Sequence, residues 1–522
     1  QGQRGQGHGI MAPLTRAQVR KKAQERHGIQ PTAKRLRSPL LTTTGLTLLA
    51  FAGACLVGAW QAREIRRKHP RRGTGASPQD LLTTTTQVPD GGISHNIHTT
   101  NVTTEEVPAP VLLTQGSEEV CRGDEMPGSC MLRGALEARI GTGRPGILDA
   151  EAHEPITGSI AWTPTALARS APLLRDVWAK TAATRNGSRE ETVVTRFTYS
   201  VAGRALAPYL RTPWTPAPHA IKARVRTEDF FRNCKRGADM RQFYSGLAEQ
   251  QNGEAHRDVR QLMDSFLGAL SPGQQQKAGT ASARANVWLS CLATGTTTHY
   301  DLGHNLVLQV YGEKLFELLP PSLIPQLSVP PTGHPYARQA LADDPGDEEF
   351  IKFRLSQGEV LYVPPAWAHR TTSGQGPSIS VNIFVDSALV NTSERLIALP
   401  LPFEDEWPET LLHNAVSFYL EAFLGQVQLH PEDLRRRWRL VELAPGVAAP
   451  TPSCEPVEAT LAAKLHDRAV VVAAILEALP QEHRHILALD YADDVLLGTV
   501  GPAVAEGLVT ACMNSDTTKP YK

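Results

Sequence analysis

Apolar and polar positions alternate from 378 to 386, with Phe384 the one apolar residue on the polar face: Ile379, Val381, Ile383 and Val385 share one face, and Ser380, Asn382 and Phe384 share the other. A period of two marks a strand with one face buried. A shorter apolar run, Val360-Leu361-Tyr362-Val363, stops at Pro364-Pro365. Neither proline can donate to a ladder, so the pair ends that strand and stiffens the chain beyond it. Upstream lies a β-rich run over 305–310, a glycine turn at Gly312 and a second run over 315–319, preceded by Val287, Trp288, Leu289 and Leu292. Tyr244 sits in the strand-like RQFYSGL. The period changes to three and four over 226–236 and 256–270, then, after a proline-rich joint at 399–408, over 409–423, 457–479 and 483–511. Gly501-Pro502 breaks the last of these into two helices. Trp162-Thr163-Pro164 opens one more helix, expected to run through TPTALARSAPLLRDVWAKTA. The pattern predicts a mainly β region with flanking helices, followed by a helical C-terminal region.

Ahead of these elements the hydropathy is of another kind. Residues 38–62 carry no charge, with eight Lys/Arg and one Glu between Arg16 and Arg37 and six basic residues between Arg63 and Arg72. An uncharged run of this length is long enough for a transmembrane helix, with Trp60 at the interface. A signal peptide or an organelle presequence is the competing reading. The sequons at Asn101, Asn186 and Asn391 fit a luminal domain, so the expectation is a single-pass endomembrane protein anchored by one N-terminal helix, with organelle targeting the alternative. Met11 reads as the initiator. Residues 73–118 are rich in Thr, Gly, Pro and Ser and read as a flexible stem. The expected divisions are a basic tail (1–37), a transmembrane segment (38–62), a stem (63–118), a β-rich domain (119–390) and a helical region (391–522).

Lys plus Arg and Asp plus Glu each number 53, so no net charge favours nucleic acid. Arg435-Arg436-Arg437 reads as a solvated helix face. Seven cysteines are too few for a disulfide scaffold, and none are spaced as a zinc module; Cys121 and Cys130 flank a Gly/Pro loop and can pair in an oxidising compartment. Gly141-x-Gly143-x-x-Gly146 has the spacing of a dinucleotide fingerprint, but Pro145 lies inside it and no helix signal comes after it, so it reads as a turn.

The chemistry lies in the β region. His299 and Asp301 are two apart, so on extended chain both point one way and Tyr300 the other. With His369, beyond the Pro364-Pro365 turn, they make two imidazoles and a carboxylate, the facial donor set of non-heme Fe(II) oxygenases. The spacing alone is weak: His256-Arg257-Asp258 repeats it in a helical stretch, where i and i+2 do not share a face. Asn382, on an otherwise apolar strand, needs a partner if buried. Lys314 comes after the Gly312 turn and is either a snorkelling surface lysine or a cation inside the barrel that calls for an anionic ligand.

Thr296, His299-Tyr300-Asp301, Asn305, Gln309, Gly312 and Lys314, then Gly358, Val360 to Pro364, Trp367, His369 and Asn382, together resemble the JmjC and cupin-like Fe(II)/2-oxoglutarate dioxygenases. His334-Pro335-x-x-Arg338-Gln339 is also similar, and the likeness spans about 140–388. It is strongest to the branch containing the asparaginyl hydroxylase that inhibits hypoxia-inducible factor, from which Phe384 departs by replacing a tryptophan. The resemblance implies a double-stranded β-helix (jelly-roll or cupin, JmjC type), with Fe(II) bound by His299, Asp301 and His369, and 2-oxoglutarate and O2 as cosubstrates. It implies Lys314 and Thr296 at the distal carboxylate of 2-oxoglutarate, Tyr244 at a cosubstrate carboxylate, and Asn305 and Asn382 near the metal-side end. The expected activity is hydroxylation of side chains in a protein or peptide substrate, against a lysine demethylase or a non-catalytic cupin binding module. The resemblance also implies a homodimer through the C-terminal helices; a helical cap on the barrel is the alternative.

Overall fold

The alternating runs become strands. A computed structural model describes residues 127–513, apart from 158–159, 161, 172, 182–194, 198–203, 212–220, 236–239, 245–253, 270–282, 291–293, 342–348, 405, 448–451 and 453. The strands are β1 (Gly146–Ile147), β2 (Leu173–Thr181), β3 (Thr195–Phe197), β4 (Ile221–Arg226), β5 (Met240–Tyr244), β6 (Arg284–Ser290), β7 (Thr294–Thr296), β8 (His304–Tyr311), β9 (Lys314–Leu319), β10 (Ile351–Leu355), β11 (Val360–Val363), β12 (Ala368–Ser373) and β13 (Ser378–Val385). They form a sheet of eight in the order β1-β11-β8-β13-β6-β5-β2-β4 and a sheet of five in the order β10-β9-β12-β7-β3. Strand pairing is antiparallel apart from β3 with β7. Two facing, largely antiparallel sheets with flanking helices fit the cupin or jelly-roll expectation.

Strand alternation decides what lies between the sheets. Val307, Leu361 and Val363 from the larger sheet pack with Phe316, Leu318 and Leu355 from the smaller. The opposite face of β8 and β13, including Leu306, Leu308, Ile379 and Val381, packs against α1 (Pro127–Thr142), α2 (Ala150–Thr157), α3 (Pro164–Ser170), α4 (Thr227–Lys235) and α5 (Glu254–Ala269). On the far side, Leu319 and Ala368 of β9 and β12 join a core built mainly from α6 (Ala388–Ala398), α7 (Glu409–Gln426), α8 (Pro431–Trp438), α9 (Ala459–Leu476), α10 (Gln481–Thr499) and α11 (Pro502–Ala511). The C-terminal helices therefore pack on the barrel. Gly501 takes φ +79° and Pro502 starts α11, which is the expected break.

Three expectations change. The helix from Thr163 ends at Ser170; the Thr163 side chain caps it by accepting from the Ala166 N–H at 3.1 Å, and the next element is β2, with Trp178 in register with Phe243. Pro172 cannot continue a helix, and sheet partners decide the rest. Second, Arg437 is buried, not solvated, because Asp490 and Asp493 of α10 pair with it at 3.0 and 3.2 Å. Third, the expected single-pass membrane localisation is overturned: among the described residues no helix is long and apolar enough to cross a membrane. The uncharged run 38–62, the basic tail and the stem lie outside the described residues, as does the expected Cys121–Cys130 pairing. Among the described residues a disulfide joins Cys454 to Cys512 across the helical region.

Candidate active site

β7 delivers the first two donors and β12 the third. Gly295 is required here: an added Cβ would stand 1.7 Å from the Thr371 carbonyl oxygen, so only glycine lets β7 lie this close to β12. Beyond β7, His299 and His369 exchange both backbone hydrogen bonds, at 3.0 and 2.7 Å, as a directly opposed antiparallel pair. The Ala366 N–H donates to the Asp301 carbonyl at 2.7 Å, closing the second end of the junction. The two segments are thus joined to each other by backbone hydrogen bonds at both ends.

The side chains converge. One donor atom from each of His299, Asp301 and His369 lies within 4.8 Å of the other two. The imidazole centroids are 4.3 Å apart, and His369 Nε2 is 3.8 Å from Asp301 Oδ2. Each ring has Nδ1 against the carbonyl two residues before it: Thr297 at 2.8 Å for His299 and Trp367 at 3.0 Å for His369. A carbonyl only accepts, so Nδ1 carries the proton and Nε2 presents its lone pair. Burial, then His299, holds the His369 imidazole below its usual range, so it is neutral. Two oriented imidazoles and one carboxylate fit a divalent cation and leave its other positions open. Asp301 is 35 % exposed and His369 only 5 %, so the centre opens on the carboxylate side.

Lys314 is buried, which removes the snorkelling reading. Its Nζ donates to Ser380 Oγ of the opposite sheet, and among the described residues no carboxylate pairs with it. Burial pulls its amine down to about 7. A cation so placed is costly unless an anion joins it. Thr296 is buried beside Thr371, with the hydroxyls 3.3 Å apart and the Thr371 N–H donating to Thr296 Oγ1 at 3.1 Å. Asn382 finds two partners: Trp288 Nε1 donates to its Oδ1 at 2.7 Å, and its Nδ2 donates to Asn305 Oδ1 at 3.1 Å. Tyr244 ends β5, in register with Leu289; its side chain is outside the described residues. The tripeptide at 256–258 lies on α5, where Asp258 accepts from Trp162 Nε1 at 2.8 Å, away from the triad.

A family model described as a cupin-like domain covers this whole arrangement. Residues 178–389 match it. The cupin-like domain thus contains His299, Asp301, His369, Lys314 and the polar row at Asn305 and Asn382. HSPB1-associated protein 1 of Homo sapiens is 32% identical over 122 residues, 21% of this chain and 25% of that protein. tRNA wybutosine-synthesizing protein 4 of Emericella nidulans is 34% identical over 94 residues, 16% of this chain and 9% of that one. Lysine-specific demethylase JMJ30 of Arabidopsis thaliana is 33% identical over 103 residues, 17% of this chain and 23% of that protein. The chain spans about a quarter or less of the length of these curated relatives. The matches support the JmjC and cupin-like resemblance at the level of the domain.

Several participants are not visible as sequence motifs. The carbonyls of Thr297 and Trp367 fix both tautomers, but every residue has a carbonyl, so nothing marks them. Ser380 and Trp288 were findable: both lie on the face that β13 and β6 turn toward Lys314 and Asn382, and only their partners were unknown.

Proposed function

We propose that this chain is an Fe(II)- and 2-oxoglutarate-dependent dioxygenase that hydroxylates side chains of a protein or peptide. The observation that carries the reading is the convergence of the His299, Asp301 and His369 donors together with a buried lysine that no carboxylate among the described residues neutralises. Bound together, Fe(II), 2-oxoglutarate and O2 supply oxidation of a C–H bond, with 2-oxoglutarate converted to succinate and CO2. His299, Asp301 and His369 would hold the metal, with both Nδ1 protons donated to carbonyls. Lys314 and Thr296 receive the distal carboxylate of the cosubstrate, which restores full charge to the lysine. Asn305 and Asn382 border the metal-side end, and Tyr244 belongs to the cosubstrate site by resemblance. Val307, Phe316, Leu318 and Leu361 give the space between the sheets an apolar wall.

The same chemistry on a methylated lysine is the second reading, favoured by the match to a protein named as a lysine-specific demethylase. The resemblance to the asparaginyl hydroxylase branch favours the first.

The test is succinate release from 2-oxoglutarate by the purified chain with and without Fe(II). Iron-dependent release that His299→Ala or Asp301→Ala abolishes, with the fold retained, is expected; undiminished release in either variant defeats the assignment. Substrate peptides then divide the readings, since hydroxylation leaves an added oxygen atom and demethylation releases formaldehyde.

A further inference from the structure

The segment carrying His299 and Asp301 is not held by β12 alone. On its other side the Tyr300 N–H donates to the Arg338 carbonyl at 3.1 Å, the Ala340 N–H donates to the Thr298 carbonyl at 2.8 Å, and His299 bridges to Gln339. Residues 338–340 thus act as a short added edge along the ligand-bearing segment. Arg338 itself has φ +63°, a left-handed backbone that a residue with a long side chain adopts only when its surroundings enforce it. The enforcing groups come from the C-terminal helices. Asp490 of α10 accepts from Arg338 Nε at 3.3 Å and Nη2 at 3.1 Å, a fork on one carboxylate oxygen, and its other oxygen accepts from Arg437 at 3.0 Å. One turn on, Asp493 accepts the Thr332 N–H at 3.1 Å and Trp438 Nε1 at 2.8 Å, and Asp494 accepts the Thr332 hydroxyl at 2.8 Å. One face of α10 therefore fixes both ends of the loop that braces the metal-ligand tripeptide. Tyr300 points away from the donors, as its parity requires, and is buried in the core shared with these helices.

We infer that Asp490 and Arg338 are positioning residues for the metal centre: through them helix α10 sets the geometry of His299 and Asp301 from outside the cupin-like domain. The inference rests on the metal-centre reading above. A charge pair that strains a backbone hydrogen-bonded to the ligand segment acts as an outer-shell partner, and loss of such partners typically weakens metal affinity on the order of 10-fold or more.

The test uses the full chain and Co(II), whose visible absorption reports coordination geometry and whose titration gives affinity. Arg338→Met and Asp490→Asn are each expected to weaken Co(II) binding on the order of 10-fold and to alter the absorption band, with the double variant little worse than either single one. Arg338→Lys is expected to recover part of the affinity. Arg436→Met, which removes a contact to the Pro325 carbonyl at the same junction, is expected to leave Co(II) affinity unchanged. The Arg338 side chain is 33 % exposed against 5 % for Asp490, so its variants are expected to disturb packing less and carry the test if Asp490→Asn fails to fold. Variants that are less heat-stable yet bind Co(II) with wild-type affinity and spectrum overturn the inference while leaving the metal centre standing. A wild-type chain that fails to bind Co(II) overturns the metal centre, and the inference with it.

Discussion

Lys314 is the residue whose environment is most at odds with its chemistry. Burial lowers its amine from 10.5 to about 7, so this lysine binds its proton less readily in the folded protein than in the unfolded chain. Between about 7 and 10.5 the unfolded state carries more protons, so this group's contribution to stability rises with pH across that window; below it the buried charge is a full penalty. Lys314→Met is therefore expected to raise the melting temperature of the ligand-free protein near neutral pH, with a gain that shrinks as pH rises. The same substitution is expected to abolish the upward shift that 2-oxoglutarate gives the wild type. Differential scanning fluorimetry over pH, with and without 2-oxoglutarate, reads both, and a ligand shift that survives the substitution counts against the lysine as the anion anchor. At this scale the sequence was informative where chemistry is rare. A lysine after a glycine turn and a His-x-Asp on extended chain are identifiable by type and parity. Asp490 is not, because nothing local distinguishes it from a solvated acid on a helix.

Among the elements, β7 is short, three residues, and its place depends on one missing side chain. Gly295→Ala drives a methyl into the Thr371 carbonyl, a collision with backbone that no rotamer relieves. The strand must then separate from β12, and the expected cost exceeds about 3 kcal/mol. A denaturant titration measures it, and a midpoint within error of the wild type would show that the two strands tolerate a wider separation at no cost. Element type was readable wherever one face is wet and one dry, as along β13. It failed at β2, whose Leu-Leu-Arg-Asp-Val-Trp-Ala-Lys-Thr suits a helix as well as a strand. The decision there comes from β4 and β5 on either side, and pairing between segments distant in sequence leaves no local trace.

For the molecule as a whole, the Cys454–Cys512 bridge closes a loop of 58 residues that contains α9, α10 and α11. Constraining an unfolded loop of that size contributes about 4 kcal/mol in the chain-entropy treatment. Reduction is expected to lower the melting temperature by several degrees, and Cys454→Ser with Cys512→Ser should reproduce the reduced value; equal melting of the oxidised and reduced forms would mean that packing alone holds the region. The pairing was not legible in sequence, since the other cysteines offered competing partners and only the fold brings these two together. A last consequence concerns where the chain can be cut. The matched domain ends at 389, yet Leu319, Ala366 and Ala368 belong to a hydrophobic core supplied mainly by helices beyond that point. A fragment trimmed to the domain borders would display that bare sheet back to solvent and clump in the expression host, so recombinant work should begin with the helices attached.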